Sequence, residues 1–297
     1  MRTHTVTNGQ VSLHTVEEGN PDGPTLILVH GWPDTHALWD RVVPHLADEF
    51  RIIRFDNRGA GASAVPRGVA DYRLAHLASD LFAVIDSVSP DAPVHLLGHD
   101  WGAVLCWEAV CEPDAAGRIA SYTSVSGPNL DHLGMWMRRR LREVRTLGPL
   151  EQALASAYTV LFQIPGLPVP ALRWWFARHW PDFVGAFDRT DPSVIGPLSP
   201  TVADDMVHGM KLYRANIRRH LFRPRVRRTD VPCNSSRISA IGRSVPSVTR
   251  TPTGGCPIFI ACPSTPGTGR RGRTLVNWPL SQLGSFGPPR SVPPRRG

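Results

Sequence analysis

The sequence predicts an α/β fold, in which helices pack on a mostly parallel sheet and a helical segment is inserted late. Short apolar runs alternate with helix-like stretches over residues 1–128, and such alternation is typical of parallel strands joined by helices. Over residues 129–223 the pattern changes to helical segments rich in Trp, Arg and Leu, with Pro-rich joints between them. We therefore predict a core at 1–128, a helical cap at 129–223 and a return to the core at 224–232.

The individual elements follow in chain order. Polar and apolar residues alternate from Thr3 to Val16 with an interruption at Asn8-Gly9, which predicts an edge hairpin with an Asn-Gly turn. Four apolar runs are predicted strands: Thr25–Val29, Arg51–Phe55, Val94–Leu97 and Ile119–Val125. The predicted helices between and after them are Leu38–Ala47, Leu74–Val88 and Ala103–Val110.

Charge sets residues 233–297 apart from the rest of the chain. This segment holds nine arginines and no acidic residue, while the preceding residues carry 24 basic and 25 acidic side chains. The net charge of +8 therefore comes from the segment, and the remainder gives no reason to expect binding to a phosphate backbone. The segment also lacks the regular aromatic interleaving of nucleic-acid stacking surfaces. We predict no nucleic-acid partner.

Residues 233–297 are also rich in proline, glycine and serine. Such a composition buries too little apolar surface to offset the entropy of ordering, so we predict a disordered tail. Within it, Pro257–Ile260 is the stretch that resembles a strand. The C-terminal strands of the sheet would then be missing, which would leave an exposed edge and a risk of aggregation.

Other compositional features indicate a cytoplasmic protein without a membrane span. Residues 1–20 lack the apolar core of a signal peptide, and no stretch approaches the 18 apolar residues of a membrane helix. The five cysteines show neither a disulfide framework nor metal-ligand spacing, so we expect no metal. The sequence leaves the oligomeric state open.

A pentapeptide between a predicted strand and a predicted helix carries the strongest chemical signal. Gly98, His99, Asp100, Trp101 and Gly102 form the pattern of a nucleophile elbow with Asp in place of Ser. The carboxylate of Asp100 could attack an electrophilic carbon and form an ester that water then hydrolyses. The structural alternative is an Asp that caps the following helix.

A second motif supports the functional interpretation of Asp100. His30, Gly31, Trp32 and Pro33 follow the strand Thr25–Val29 directly, where folds with a nucleophile elbow supply an oxyanion-hole amide. We predict that the backbone N–H groups of Trp32 and Trp101 form this hole. Alone, the first motif could be only a turn.

Together these motifs resemble the epoxide hydrolase branch of the α/β-hydrolase superfamily, whose relatives include haloalkane dehalogenases that also use an Asp nucleophile. The resemblance spans residues 1–232 and includes Asp56–Ser63 and Ser126–Pro128. It implies a small apolar epoxide-like substrate and no metal or organic cofactor. Similar hydrolase modules are sometimes fused to a short-chain dehydrogenase. From the residues alone, Asp56 and Arg58 are expected to form a structural ion pair or a turn.

Two tyrosines distinguish between reactions within this group. Tyr158 and Tyr213 resemble the cap tyrosines of epoxide hydrolases. Two phenolic O–H groups can polarise the epoxide oxygen and deliver a proton as the ring opens, whereas a halide leaving group needs no such acid. The structural alternative is a pair of core tyrosines.

The C-terminal part lacks the expected partners of the nucleophile. In this fold an acid and then a histidine follow the nucleophile along the chain. All twelve histidines lie between His4 and His220, and after Asp230 there is neither acid nor histidine. No catalytic histidine is found, and we expect Asp100 to be alkylated once and then to stall.

This loss predicts a shifted reading frame. The residues from Pro232 to Ser236 can be encoded by CCG TGC AAC TCA TCx, and a one-base shift then gives Val-Gln-Leu-Ile, a typical buried strand. In the same frame, codons for Ala240–Gly242 can encode Asp-Arg, and codons for Pro266–Gly269 can encode Gly-His-Trp. These resemble the acid and the histidine motif of the family.

The sequence thus predicts an epoxide-hydrolase-type hydrolase with an Asp nucleophile and doubtful full turnover. Two alternatives remain open. One is a haloalkane dehalogenase, and the other is a catalytically inactive ligand-binding relic of the same fold.

Overall fold

A mixed seven-stranded sheet forms the centre of the part of the chain that the computed structural model describes, residues 1–143, 159, 162–164, 168–182 and 198–236. The spatial order is β1-β2-β4-β3-β5-β6-β7. β1 and β2 pair antiparallel, as do β2 and β4, and all other pairs are parallel. The strands are β1 Arg2–Asn8, β2 Val11–Gly19, β3 Thr25–Val29, β4 Arg51–Phe55, β5 Val94–His99, β6 Ile119–Val125 and β7 Cys233–Ser236.

Five α-helices of four residues or more accompany this sheet within the described residues. They are α1 Leu74–Val88, α2 Trp101–Ala109, α3 Ala115–Arg118, α4 Leu130–Arg142 and α5 Val202–Phe222. A short helical turn at Pro168–Pro170 continues as a π-helical turn at Ala171–Phe176. Three 3₁₀-helices occupy His36–Trp39, Val43–His45 and Val69–Tyr72. No described helix combines the length and the apolar character that a membrane crossing requires.

The predicted strands and the helix α1 are confirmed, three of the strands and α1 with the predicted bounds. Strand β3 is buried along its whole length, as expected for a central parallel strand covered on both faces. A large apolar cluster lies on the face covered by α1 and α2, and a second cluster lies on the other face under the segment from Trp39 to Phe50. Burial on both faces is why these strands form continuous apolar runs.

Two local predictions were wrong. The stretch Leu38–Ala47 does not form an α-helix, because two 3₁₀-helices take its place and Pro44, which has no N–H to donate, lies within the second. In the first hairpin Asn8 pairs with Val11, so the turn residues are Gly9 and Gln10, not Asn8 and Gly9. Gly9 has a φ of 59°, whereas Gln10 has no positive φ, since among the described non-glycine residues only Asp100 and Ser126 do. A positive φ at the first turn position alone fits a type II′ turn and not the type that Asn-Gly favours.

The start of the segment predicted to be disordered is a strand. Cys233–Ser236 form β7, which pairs parallel with β6 from Tyr122↔Cys233 to Val125↔Ser236. The prediction failed here because the backbone of β6 offers hydrogen-bonding partners whatever the side chains of β7 are. Residues 237–297, including Pro257–Ile260, lie outside the described part.

The helices that follow β6 are joined to each other and to the core by buried polar contacts. His220 Nδ1 lies 2.8 Å from Asp131 Oδ1, which links α5 to α4. Asn216 of α5 accepts a hydrogen bond from the backbone N–H of Leu74 and donates to the carbonyl of Tyr72. These contacts fix α5 against α4 and over the start of α1.

Candidate active site

Asp100 lies on a sharp turn between β5 and α2. Its φ of 51° and ψ of −122° belong to a region that L-residues rarely adopt. The turn is held because the Asp100 N–H donates to Val125 O at 3.0 Å and the Asp100 carbonyl accepts from Val104 N at 3.0 Å. The Asp100 side chain forms no cap with α2, so the simple capping alternative does not apply.

Glycines allow the elbow to pack against its neighbours. A Cβ on Gly102 would lie 2.2 Å from Val29 O and 2.4 Å from His30 O. A Cβ on Gly98 would lie 2.8 Å from Ala103 Cα. The sequence places glycine at these positions because helix α2 starts in contact with the ends of β3 and β5, as the sequence pattern indicated.

The motif at residues 30–33 reaches the carboxylate directly. Trp32 N–H donates to Asp100 Oδ1 at 2.9 Å, and Gly31 is so close that a Cβ there would lie 2.5 Å from the same oxygen. The Trp101 amide, next to Asp100 in the chain, also favours the charged form of its carboxyl and so opposes the rise in its pKa. The structure thus places the Trp32 amide, one of the two predicted for an oxyanion hole, against the carboxylate.

His30 holds this motif in place and does not face the carboxylate as a base. Its Nε2 accepts from Asn57 N at 2.9 Å, its Nδ1 lies 2.8 Å from Gly31 O, and the Asn57 side chain donates to His30 O. Because Nε2 accepts a hydrogen bond, the proton is assigned to Nδ1. Burial lowers the pKa of His30, which agrees with a neutral ring.

Two opposing effects act on the pKa of the Asp100 carboxyl. Burial raises the pKa of the Asp100 carboxyl above its ordinary value, while the nearby His99 and the amides of Trp32 and Trp101 oppose the rise. Hydrogen bonds to a carboxylate stabilise its charged form. The same two amides that could receive an oxyanion therefore also help Asp100 to ionise.

Tyr213 packs directly above the elbow within an aromatic cluster. Its ring is 4.9 Å from the ring of Trp101, 5.0 Å from that of Phe162 and 5.6 Å from that of Trp32, all in edge-to-face geometry. Trp32 also donates its indole N–H to Met206 O on α5. The other predicted acid, Tyr158, lies outside the described residues.

A narrow cleft opens beside the elbow. It is lined mainly by the two motifs, the loop after β4 and α5, including Trp32, Asp34, Arg58, Trp101, Asp205 and Leu212. The sequence analysis missed Asp34 and Asp205. Asp34 adjoins the His-Gly-Trp-Pro motif, and this adjacency was the available signal. Nothing local marked Asp205, which reaches the cleft only through the packing of α5.

Both of these carboxyls are electrostatically unusual. Burial, with smaller contributions from Asp100 and Asp205, raises the pKa of Asp34 to about 7. Burial also raises the pKa of Asp205 to about 6, although hydrogen bonds from Thr201 and the Gly61 amide favour its charged form. Carboxyls that titrate near neutral pH beside a cleft are typical of functional sites.

Asp56 and Arg58 do not pair with each other as expected. Arg58 instead forms a two-pronged ion pair with Asp80 of α1, with both N–O distances 2.6 Å. Asp56 contacts His36, and although burial opposes it, hydrogen bonds from His36 lower the pKa of Asp56 to about 2. The Arg58–Asp80 and Asp56–His36 contacts both join loops to the core. Asp56 and Arg58 thus have structural contacts, as expected, but not with each other.

The predicted cap contains further tryptophans and histidines. Trp174 and Trp175, in the π-helical turn, are exposed by 82% and 60%. His132 contacts Arg227 O at 3.2 Å and not the elbow. Within the sequence no histidine follows His220.

The sheet and the strained turn with its carboxylate and neighbouring amides have the arrangement that is typical of the α/β-hydrolase fold. A family model described as alpha/beta hydrolase fold matches residues 24–150. Among curated proteins, "Probable oxidoreductase EphD" of Mycobacterium tuberculosis is 44% identical over 217 residues, which are 69% of this chain and 35% of that protein. Epoxide hydrolase A of the same organism is 34% identical over 168 residues, 54% of this chain and 47% of that protein.

Solved structures agree on the fold. A putative epoxide hydrolase from Pseudomonas aeruginosa superposes with a TM-score of 0.63 at 21% identity, over 79% of this chain and 78% of that one. Epoxide Hydrolase A from Mycobacterium thermoresistibile gives 0.58 at 21% identity, over 80% and 82%. The chain has the α/β-hydrolase fold and is similar to proteins named as epoxide hydrolases. Its match spans about a third of the EphD relatives' length.

Proposed function

We propose that this chain opens a small apolar epoxide by forming an ester on Asp100. The observation that carries the proposal is the Asp100 carboxylate on the elbow, with Trp32 N–H 2.9 Å from Oδ1 and Tyr213 packed on Trp101. Because the Trp32 amide holds Oδ1, the other oxygen is the nucleophile. Its attack forms a carbon–oxygen bond while the epoxide carbon–oxygen bond breaks.

The electron pair released by ring opening needs a proton. In the proposal the Tyr213 O–H, together with that of Tyr158, donates to the epoxide oxygen, and solvent later restores the phenolic proton. The rings of Trp32, Trp101 and Phe162 that pack around Tyr213 exclude water from the charge that develops and favour a small apolar substrate. In the proposal, α4 and α5 belong to the cap predicted at 129–223, and α5 carries Tyr213.

Ester hydrolysis is the step that this chain performs poorly. Attack of water on the ester carbonyl creates an oxyanion, and the amides of Trp32 and Trp101 would receive it. The water also needs a base, which in this fold is the C-terminal histidine. Because residues 221–297 contain no histidine, we expect one alkylation for each chain and then a stall.

A single experiment separates these steps. The purified chain is incubated with an aryl epoxide and followed by intact mass, peptide mapping and diol release. The expected result is one added epoxide per chain, located on Asp100, with little diol. Asp100→Asn should remove the adduct, whereas Asp114→Asn, at an exposed carboxylate, should keep it. Adducts shared among surface carboxylates would contradict the proposal.

The same assay tests the alternatives left open by the sequence. Release of halide from a haloalkane, unaffected by Tyr158→Phe and Tyr213→Phe, would indicate a dehalogenase. Reversible stoichiometric binding without an ester would indicate a ligand-binding relic. Tyr213 packed against the elbow is the observation that favours the epoxide.

We also propose that the coding sequence has lost one base near the Pro232 codon. With the codons given above, the shifted frame can encode Val-Gln-Leu-Ile at the residues that form β7, and parallel pairing with β6 supports a strand at this position. Resequencing of the genomic DNA with an independent method tests the proposal. An additional base would restore an acid and a histidine, and the corrected chain should release diol over many turnovers. An unchanged sequence would contradict a sequencing error, and steady diol release by the chain as given would contradict the stall.

A further inference from the structure

Two histidines and an aspartate meet outside the candidate active site. His14 lies on β2, His36 begins the first 3₁₀-helix, and Asp56 follows β4. Each residue offers one ligand atom, and these atoms all lie within 4.8 Å of one another. His36 Nδ1 lies 2.8 Å from Asp56 Oδ1, and the ring centroids of His14 and His36 are 5.3 Å apart.

Main-chain hydrogen bonds hold the three residues together without help from a ligand. His36 N–H donates to Asp56 Oδ1 at 2.8 Å, and Asp56 N–H donates to His14 O at 2.9 Å. His14 N–H donates in turn to Ser63 Oγ at 2.9 Å. Since the backbones are fixed in this way, little conformational entropy remains to be lost when the side chains bind a common ion.

We propose that His14, His36 and Asp56 bind a divalent first-row transition metal ion, with Zn²⁺ as the best fit. Two imidazoles that share a tetrahedral Zn²⁺ at about 2.0–2.1 Å have ring centres about 5 Å apart, close to the observed separation. Two imidazoles and one carboxylate suit Zn²⁺ and its neighbours better than Mg²⁺ or Ca²⁺. Water completes the coordination, because both histidines are partly exposed.

The surrounding charges permit a cation at this position. Asp56 is buried, with 1% exposure, so its charge calls for a partner. The Arg54 guanidinium donates to His36 O, and its charge is compensated by ion pairs with Glu18 and Asp40. On binding, the metal ion replaces the proton that His36 Nδ1 shares with Asp56 Oδ1, and that proton is released to solvent.

The metal ion would act as a brace and not as a reactant. The second oxygen of Asp56 accepts from Ala62 N, and Ser63 Oγ donates to Asp56 O. The loop that these bonds shape also contributes Asn57, Arg58 and Gly59 to the cleft beside the elbow. Binding would therefore stabilise one wall of the cleft, and the inference is independent of the proposed reaction.

Zinc titration of the tag-free full chain tests the proposal. Chelator-treated protein competes with a chromogenic indicator for Zn²⁺, and we expect one tight site per chain. His14→Gln and His36→Gln should each lower the affinity at least about 100-fold, since even indirect supports of metal ligands are worth 10–100-fold. His45→Gln and His76→Gln, at exposed histidines, should leave the affinity unchanged.

X-ray absorption of the zinc-loaded unaltered chain provides a test that does not depend on variants. We expect two imidazoles, oxygen ligands and no sulfur in the first coordination sphere. Sulfur ligation would assign the zinc to cysteines and overturn the proposal. Equal affinities for His14→Gln and His45→Gln, or the lack of a tight site in the unaltered chain, would also overturn it and would identify the cluster as an ordinary His–Asp contact.

Discussion

At the scale of single residues, the candidate site depends on a glycine, which has no side chain, and on an aspartate whose backbone is held by its neighbours. Gly102 has no side chain because the carbonyls of Val29 and His30 occupy that space. Asp100 adopts a backbone conformation rare for L-residues, and the turn is retained because the strand and the helix on both sides fix it. Strain and close approach therefore occur together at the carboxylate.

Gly102→Ala should destabilise the protein by about 3 kcal/mol or more, because the new methyl would meet backbone atoms that cannot turn away. The control is Gly117→Ala in α3, where a Cβ would meet nothing within 4 Å. That change should be neutral or stabilising by up to about 1 kcal/mol. Urea unfolding measures both, and equal stabilities would contradict the close packing of α2 on β3.

Tyr213→Phe should slow ester formation at least about tenfold, because it removes one acid and leaves the second. The edge-to-face contacts of the ring with Trp101 and Phe162 remain, so the free energy of unfolding should change little. Tyr72→Phe is the control, since Tyr72 is also fully buried. Single-turnover mass spectrometry gives the rates, and equal rates for both variants would remove Tyr213 from the mechanism.

At the scale of elements, a partly buried ionic cluster links four parts of the chain. Asp131 of α4 accepts from His220 of α5 and from the backbone and side chain of Arg225, and Arg225 also pairs with Glu108 of α2. Burial alone would raise the pKa of Asp131, but the hydrogen bonds from His220 and Arg225 outweigh burial and lower the pKa below its ordinary value. The charged form of Asp131 therefore stabilises the arrangement of α4 and α5.

This cluster predicts a defined dependence of stability on pH. Because the folded-state pKa of Asp131 lies below the unfolded value, its contribution is complete above about pH 4 and is lost as the pH falls through the folded pKa. Asp131→Asn should cost about 3 kcal/mol at pH 7 and less at pH 3. Urea unfolding at both values tests this, with exposed Asp114→Asn as control. A cost independent of pH would show that the charge is irrelevant.

At the scale of the whole molecule, the two ends of the sheet differ. β1 closes one edge and carries Arg2, whereas β7 has no charged residue and, within the described residues, pairs only with β6. Edge strands without charge can pair with another copy of the chain. Within the described residues, the sheet thus has one end strand with a charged residue and one end strand, β7, without.

Ser235→Lys should raise the protein concentration at which light scattering begins, by about threefold or more, because a lysine on an edge strand opposes pairing with another chain. Thr3→Lys adds the same charge to β1 at the other edge and should have little effect. Both residues are exposed, so neither change should alter the core. Equal effects of the two changes would point to net charge and not to the β7 edge.

The sequence by itself determined the features that depend on local pattern. β3, β4, β6 and α1 follow from runs and periodicities that reflect burial, and the elbow and its glycines follow from a motif that occupies five consecutive residues. A local motif of this kind can be recognised in the sequence, because the strained turn requires certain residue types at fixed positions relative to each other. The class of fold and the identity of the central carboxylate were therefore available without the structure.

Only the tertiary structure decided which distant groups meet. Trp32 N–H reaches Asp100 across 68 positions of sequence, and Asp205 joins the cleft through the packing of α5. The strand at Cys233–Ser236 exists through pairing with β6 and not through its own polar side chains. Such contacts depend on how the elements pack against each other. The local sequence around each residue does not predict them.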